Sequence, residues 1–220
     1  MNKARSSARR GFTLIETIVT VGLLAVLAAF VIPTVIQKAG TGDPVKVTND
    51  LGSVRTALDN FANDTKAGFP GQIWDLTNKP VVTDKLVDNA TVVTAGQIAV
   101  WNGPYIGATI GNAPADSMPT GFTASISNQL QRYDMVNNAG ELSGGTGAFS
   151  AANTMFVAVK VTGLTTAQAA TINKAIDGPS DPNVVGGPNA GANATGRFRF
   201  DPPNANGIVV AYYLASPITQ

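Results

Sequence analysis

The sequence predicts an α+β protein, in which a long N-terminal hydrophobic helix leads into a C-terminal antiparallel β-sheet head. Three observations predict it. An uncharged run of Val, Leu, Ala and Ile follows a short basic start. An apolar stripe with helical spacing follows a Gly/Pro break. The remainder consists of short β-branched and aromatic runs punctuated by Gly and Pro. With 220 residues, 44% of them hydrophobic, the chain can pack one head and carry an appended segment. Only 13% of residues are charged, while Gly (23) and Pro (13) are plentiful, which favours strands and turns over a charged helical bundle.

The same composition excludes several chemistries. Cysteine and histidine are both absent, so the chain builds no Ser/His/Asp triad, thiol nucleophile, disulfide or His/Cys zinc site. The expectation is that it is not an enzyme. Net charge is +1, but Lys3, Arg5, Arg9 and Arg10 all lie in the first eleven residues, and the rest carries 11 basic against 14 acidic side chains. No basic field remains for a nucleic acid, and none is expected as a partner.

Thr17 to Ile36 contains no charged residue and is about as long as a helix that spans a bilayer. Basic residues precede it, so the positive-inside rule places residues 1–11 in the cytoplasm and the head outside. A cleaved secretory signal, cut near Ala25-Val26-Leu27-Ala28, is the competing reading. Glu16 argues against that reading, because a carboxylate carried to the bilayer centre costs about 2.5–3.5 kcal/mol. Pro33 removes a backbone donor and is expected to kink or locally melt the helix, with Gly22 a second soft point.

Arg9-Arg10-Gly11-Phe12-Thr13-Leu14-Ile15-Glu16 resembles the class III leader of type IV pilins and type II secretion pseudopilins. The resemblance implies that a prepilin peptidase cleaves between Gly11 and Phe12 on the cytoplasmic side and methylates the Phe12 amine. It implies that the helix is retained, with Phe12, Glu16 and Pro33 at the positions the family uses for assembly. The Phe12 ammonium of one subunit would meet the Glu16 carboxylate of a neighbour, each relieving the other's burial. Expected partners are the peptidase, identical or related subunits, an inner-membrane assembly platform, and the membrane before assembly. The expected location is the bacterial inner membrane, single-pass and N-in, then a periplasmic or cell-surface filament. The alternative within the family is a minor or tip pilin acting in assembly priming, adhesion or DNA uptake; outside it, a membrane-tethered enzyme.

Four segments are expected: the leader at 1–11, the membrane or filament-core helix at 12–39, an amphipathic helix at 43–65, and the α+β head at 66–220. Asp43-Pro44 reads as an N-cap and first-turn proline after the breaker Ala39-Gly40-Thr41-Gly42. Val47, Leu51, Val54, Leu58 and Phe61 then share one helical face. Trp101-Asn102-Gly103-Pro104-Tyr105-Ile106 resembles a turn segment of pseudopilins, and its rings are expected against that stripe. The D-P-W-G-x-P-Y segment common in major pseudopilins is missing.

Candidate strands are Phe122–Ser127, Met155–Thr162, Arg197–Phe200 and Ile208–Leu214, with residues 80–100 as short strands or turns and Gly140–Gly147 as a loop. Thr165-Thr166-Ala167-Gln168 is a capping box for a short helix that Gly178 stops. No cofactor is expected except calcium, for which Asp177, Ser180, Asp181 and Asn183 offer oxygen ligands in a loop that turn chemistry explains equally well. Asp84 and Asp88 read as a solvated face.

Overall fold

The computed structural model describes residues 13–39, 42–134, 139–142, 155–179 and 196–218. The chain divides into two units, Met1–Thr41 and Gly42–Gln220.

The first unit is helix α1 (Leu14–Ala39). Thr13 starts it: its carbonyl accepts the N–H of Glu16 (3.1 Å) and Thr17 (3.2 Å), and its Oγ1 lies 3.3 Å from the Glu16 N–H. This satisfies donors that a helix start otherwise leaves open. Thr17 and Thr20 turn their hydroxyls back onto the carbonyls of Leu14 and Thr17, at 2.8 and 3.0 Å, so neither needs a partner outside the helix. The helix runs on through Pro33, so local melting there is absent from the isolated chain. The side chains beyond Leu27 lie outside the described set.

The second unit is an antiparallel six-stranded sheet with two helices on one face. Its elements are α2 (Gly42–Thr65), α3 (Trp74–Thr77), α4 (Ala95–Ala99), β1 (Ser117–Pro119), β2 (Ser125–Asp134), β3 (Ala139–Leu142), β4 (Met155–Thr165), α5 (Thr166–Asp177), β5 (Phe198–Phe200) and β6 (Ile208–Ile218). Strand order is β1-β2-β4-β6-β5, with β3 also paired to β2.

The stripe on α2 forms the floor of the core. Val47, Leu51, Val54, Leu58 and Phe61 are all fully buried, against Val157, Val159 and Val161 of β4 and Ala169 and Ile172 of α5. Burying a side chain of this size contributes about 1.5–3 kcal/mol. Three acids on the flanks of α2 add polar ties: Asp50 accepts from Thr120 (2.6 Å), Asp59 from Ser216 (2.6 Å) and Asp64 from Tyr105 (2.9 Å). Tyr105 also stacks edge-on against Phe61 and Trp101, with ring centroids 6.1 and 5.6 Å away, as the turn motif implied. The start of α2 abuts Gly121 so closely that a β-carbon there would overlap the Asp43 carbonyl.

Several elements differ from expectation. The strand read as Phe122–Ser127 begins only at Ser125, because Phe122 has φ +61° inside a turn closed by the Ala124 N–H and Gly121 carbonyl. It then runs on to Asp134. Gly140–Leu142, expected in a loop, belong to β3, which pairs with Gln131–Tyr133 of β2. The final strand continues four residues past Leu214, held by pairing with Met155–Val157. Residues 80–100 include α4, whose cap is a reciprocal box between Thr94 and Gln97. Asp88, read as solvated, has its carboxylate folded onto its own turn.

Asn128, absent from the expected core, joins the strands to the connection between α2 and β1. It sits at the irregularity of β2 between Ile126 and Leu130 and is fully buried. Its Oδ1 accepts the Trp74 N–H (2.9 Å), while Nδ2 faces Gln72 Oε1 (3.0 Å) and the carbonyls of Gly111 (3.1 Å) and Ala113 (3.0 Å). Replacing it by Ala would strand several buried groups at about 1–3 kcal/mol each. Chemical denaturation of Asn128→Ala is therefore expected to show a loss of about 3 kcal/mol or more.

Asp75 makes the head pH-sensitive. It is 2% exposed, and burial first, then the nearby Asp84 charge, pushes its carboxyl up to about 8. The folded head thus holds a proton that the unfolded chain releases near the ordinary carboxylate value of 3.8. Stability from this group is full below about pH 4 and falls as pH rises towards 8. The melting temperature of Asp75→Asn is expected to decline less between pH 5 and 8 than that of wild type.

Candidate functional site: the N-terminal assembly helix

The physical anomaly of the molecule is α1. Every large apolar side chain described on it is at least half exposed, from Leu14 (78%) through Leu23 (64%) and Leu24 (62%) to Leu27 (53%). Exposed apolar residues on all sides suit a helix that other helices or lipid will cover, not one facing water. Among the described residues no helix is long and apolar enough to cross a membrane; the uncharged sequence run itself continues to Ile36, past the last described side chain.

Glu16 is the single acid of this surface, exposed in the first turn. Its backbone N–H is held by Thr13, so the carboxylate is not required to start the helix from within. Thr13 is the residue that sequence reasoning missed, although Thr13-Leu14-Ile15-Glu16 has the form of a capping box. Gly11 and Phe12 lie outside the described residues, as does the side chain of Pro33.

Of the four calcium candidates, only Asp177 is described. Its Oδ1 accepts the Arg197 N–H and its Oδ2 the Phe198 N–H, both at 2.8 Å. Gly196, at φ +71°, leaves room for that carboxylate where a β-carbon would collide with it. Asp177 therefore fastens the end of α5 to the start of β5. Ser180, Asp181 and Asn183 lie outside the described residues, and among those described no group of three or more acids gathers to hold a metal. Because two charge-assisted bonds are lost together, Asp177→Ala is expected to cost about 2–3 kcal/mol in unfolding experiments.

Comparison with known proteins bears on the same end of the chain. Residues 6–32 match the prokaryotic N-terminal methylation motif. The chain is 33% identical over 60 residues to the type II secretion system core protein G of Klebsiella michiganensis, covering 27% of this chain and 42% of that protein. It is 38% identical over 77 residues to the protein of the same description from Pectobacterium carotovorum, covering 34% and 49%. It is 32% identical over 95 residues to the type IV major fimbrial protein FimA of Dichelobacter nodosus, covering 41% and 60%. The chain spans about half the length of these curated relatives. No solved structure matches it.

The methylation motif and these relatives support a likeness to the type IV pilin-like family. The helix-plus-sheet architecture is consistent with a structural subunit of that kind.

Proposed function

We propose that this chain is stored in the bacterial inner membrane through α1, N-in and as a single pass. It is then cut between Gly11 and Phe12 by a prepilin peptidase, methylated at the Phe12 amine, and polymerised into a type IV pilus or type II secretion pseudopilus. The observation that carries the reading is an apolar helix exposed on all sides, with one carboxylate near its start. In lipid that helix is covered by acyl chains; in a filament, by the same helix of neighbouring subunits.

Glu16 sets the register. The amine freed at Phe12 is a cation at the start of the same apolar helix, and pairing it with Glu16 of a neighbour removes two desolvation costs at one contact. Leader removal thus creates the group on which assembly depends. Other contacts fall to the assembly platform and to the head, which the fibre displays to the periplasm or cell surface. The intact carboxylate favours a place in the filament body.

A photo-crosslinking residue at Leu24 tests polymerisation directly. Cells producing the chain with its peptidase and platform are expected to give a ladder of crosslinked multimers from the sheared filament fraction. Crosslinks to lipid alone, with monomers throughout, would refute the reading.

A further inference from the structure

We propose that Thr13 is a positioning residue for leader cleavage: as the cap of α1, it keeps the carbonyl of the Gly11–Phe12 bond from becoming the first hydrogen-bond acceptor of the helix. The inference rests on the proposed cut between Gly11 and Phe12, and adds the residue that readies that bond for the peptidase. The cut is a hydrolysis, in which water adds across the Gly11–Phe12 amide and leaves a carboxylate on Gly11 and a free amine on Phe12. Attack at the Gly11 carbonyl carbon drives negative charge onto its oxygen, and catalysis supplies hydrogen bonds to that oxygen as the charge develops. An oxygen already bound inside a helix is closed to such donors until that turn opens. Where α1 begins therefore decides how ready the bond is.

Helix α1 begins at Leu14, with Thr13 exposed and outside it. The Thr13 carbonyl accepts the N–H groups of Glu16 (3.1 Å) and Thr17 (3.2 Å), and its Oγ1 accepts the Glu16 N–H (3.3 Å). Thr13 is the second residue after the bond to be cut. The hydrogen-bond ladder of α1 thus starts on a carbonyl beyond that bond.

A competing start lies two residues upstream. Glycine is about as good an N-cap as threonine, so a helix capped by Gly11 would begin at Phe12. The carbonyl of an N-cap residue accepts the first intrahelical bond. In that alternative start the accepting carbonyl is the one to be attacked. Threonine at position 13 opposes it in two ways. Its hydroxyl caps only from a non-helical backbone, and inside a helix it ranks well below alanine as a helix former.

The test is cleavage of the full-length precursor, held in detergent micelles, by purified prepilin peptidase, followed by intact mass. Thr13→Ala removes the cap and favours the upstream start, and it is expected to lower kcat/KM about fivefold, the equivalent of one typical N-cap. Thr13→Ser and Thr13→Asn both cap a helix, the second without a hydroxyl, and are expected to stay within about twofold of wild type. Circular dichroism of the alanine precursor is expected to show no loss of helix, which separates slower cleavage from unfolding. Equal rates for Thr13→Ala and wild type would overturn the inference. So would an asparagine variant as slow as alanine, because the peptidase would then read the hydroxyl itself. A wild-type precursor left uncut, or cut elsewhere, would overturn the proposed processing and this inference together.

Discussion

Glu16→Ala is expected to leave the chain inserted and cleaved but to cut filament yield at least tenfold. The substitution keeps the start of α1, because Thr13 holds the backbone N–H of residue 16, and alanine retains that donor. Alanine is also the better helix former. What it removes is the only acid on an otherwise apolar, outward-facing surface. In the assembled core, the methylated amine of Phe12 would then be buried without its counter-charge, and breaking one side of a buried pair costs about 3–5 kcal/mol. Over one subunit contact that is a shift of about two to four decades in equilibrium. Quantifying sheared filaments against membrane-held subunit, by immunoblot, reads the effect; wild-type yield would show that register is set elsewhere. Glu16→Gln separates charge from size, and it is expected to resemble the alanine variant.

Gly11→Asp is expected to stop processing altogether. The precursor would keep residues 1–11, and intact mass would exceed that of mature wild type by the leader less one methyl group. Assembly should fail with it, for a reason that follows from the same contact. An uncut chain has an amide at Phe12 in place of an amine, so Glu16 of the neighbour has nothing to pair with. It also retains Lys3, Arg5, Arg9 and Arg10 beside the apolar helix. Because both substitutions break one link, the Gly11→Asp, Glu16→Ala double variant should assemble no worse than either single variant. An additive loss in the double variant would show that the leader and the carboxylate act on separate steps.

The parts of this molecule that sequence exposes are those governed by local spacing. The α2 stripe from Val47 to Phe61 and the capped helix beginning at Thr165 each announce themselves within a dozen or so residues, by period and by cap. The apolar helix and its acid are legible for the same reason. Asn128 is not, because its side-chain partners lie 15 to 56 residues away and its value comes from a strand irregularity that juxtaposes them. Asp177 illustrates the same limit: a loop rich in oxygen donors suggests a metal, whereas the carboxylate meets backbone donors 20 and 21 residues onward. Short β1 and β3 carry too few residues to show alternation and exist through pairing with β2. By contrast, the Thr13 cap and the Thr94 box are each readable from four residues.

On the proposed reading the leader and the helix behind it act as one device, in which a disposable basic segment would conceal the amine that the retained carboxylate requires. Its most direct test is the N-terminal residue of the mature protein, determined by terminal sequencing and mass spectrometry of subunit purified from producing cells. The account predicts a methylated Phe12. A mature chain beginning near Ala29 would contradict it, since α1 would then have been discarded as a signal sequence along with Glu16.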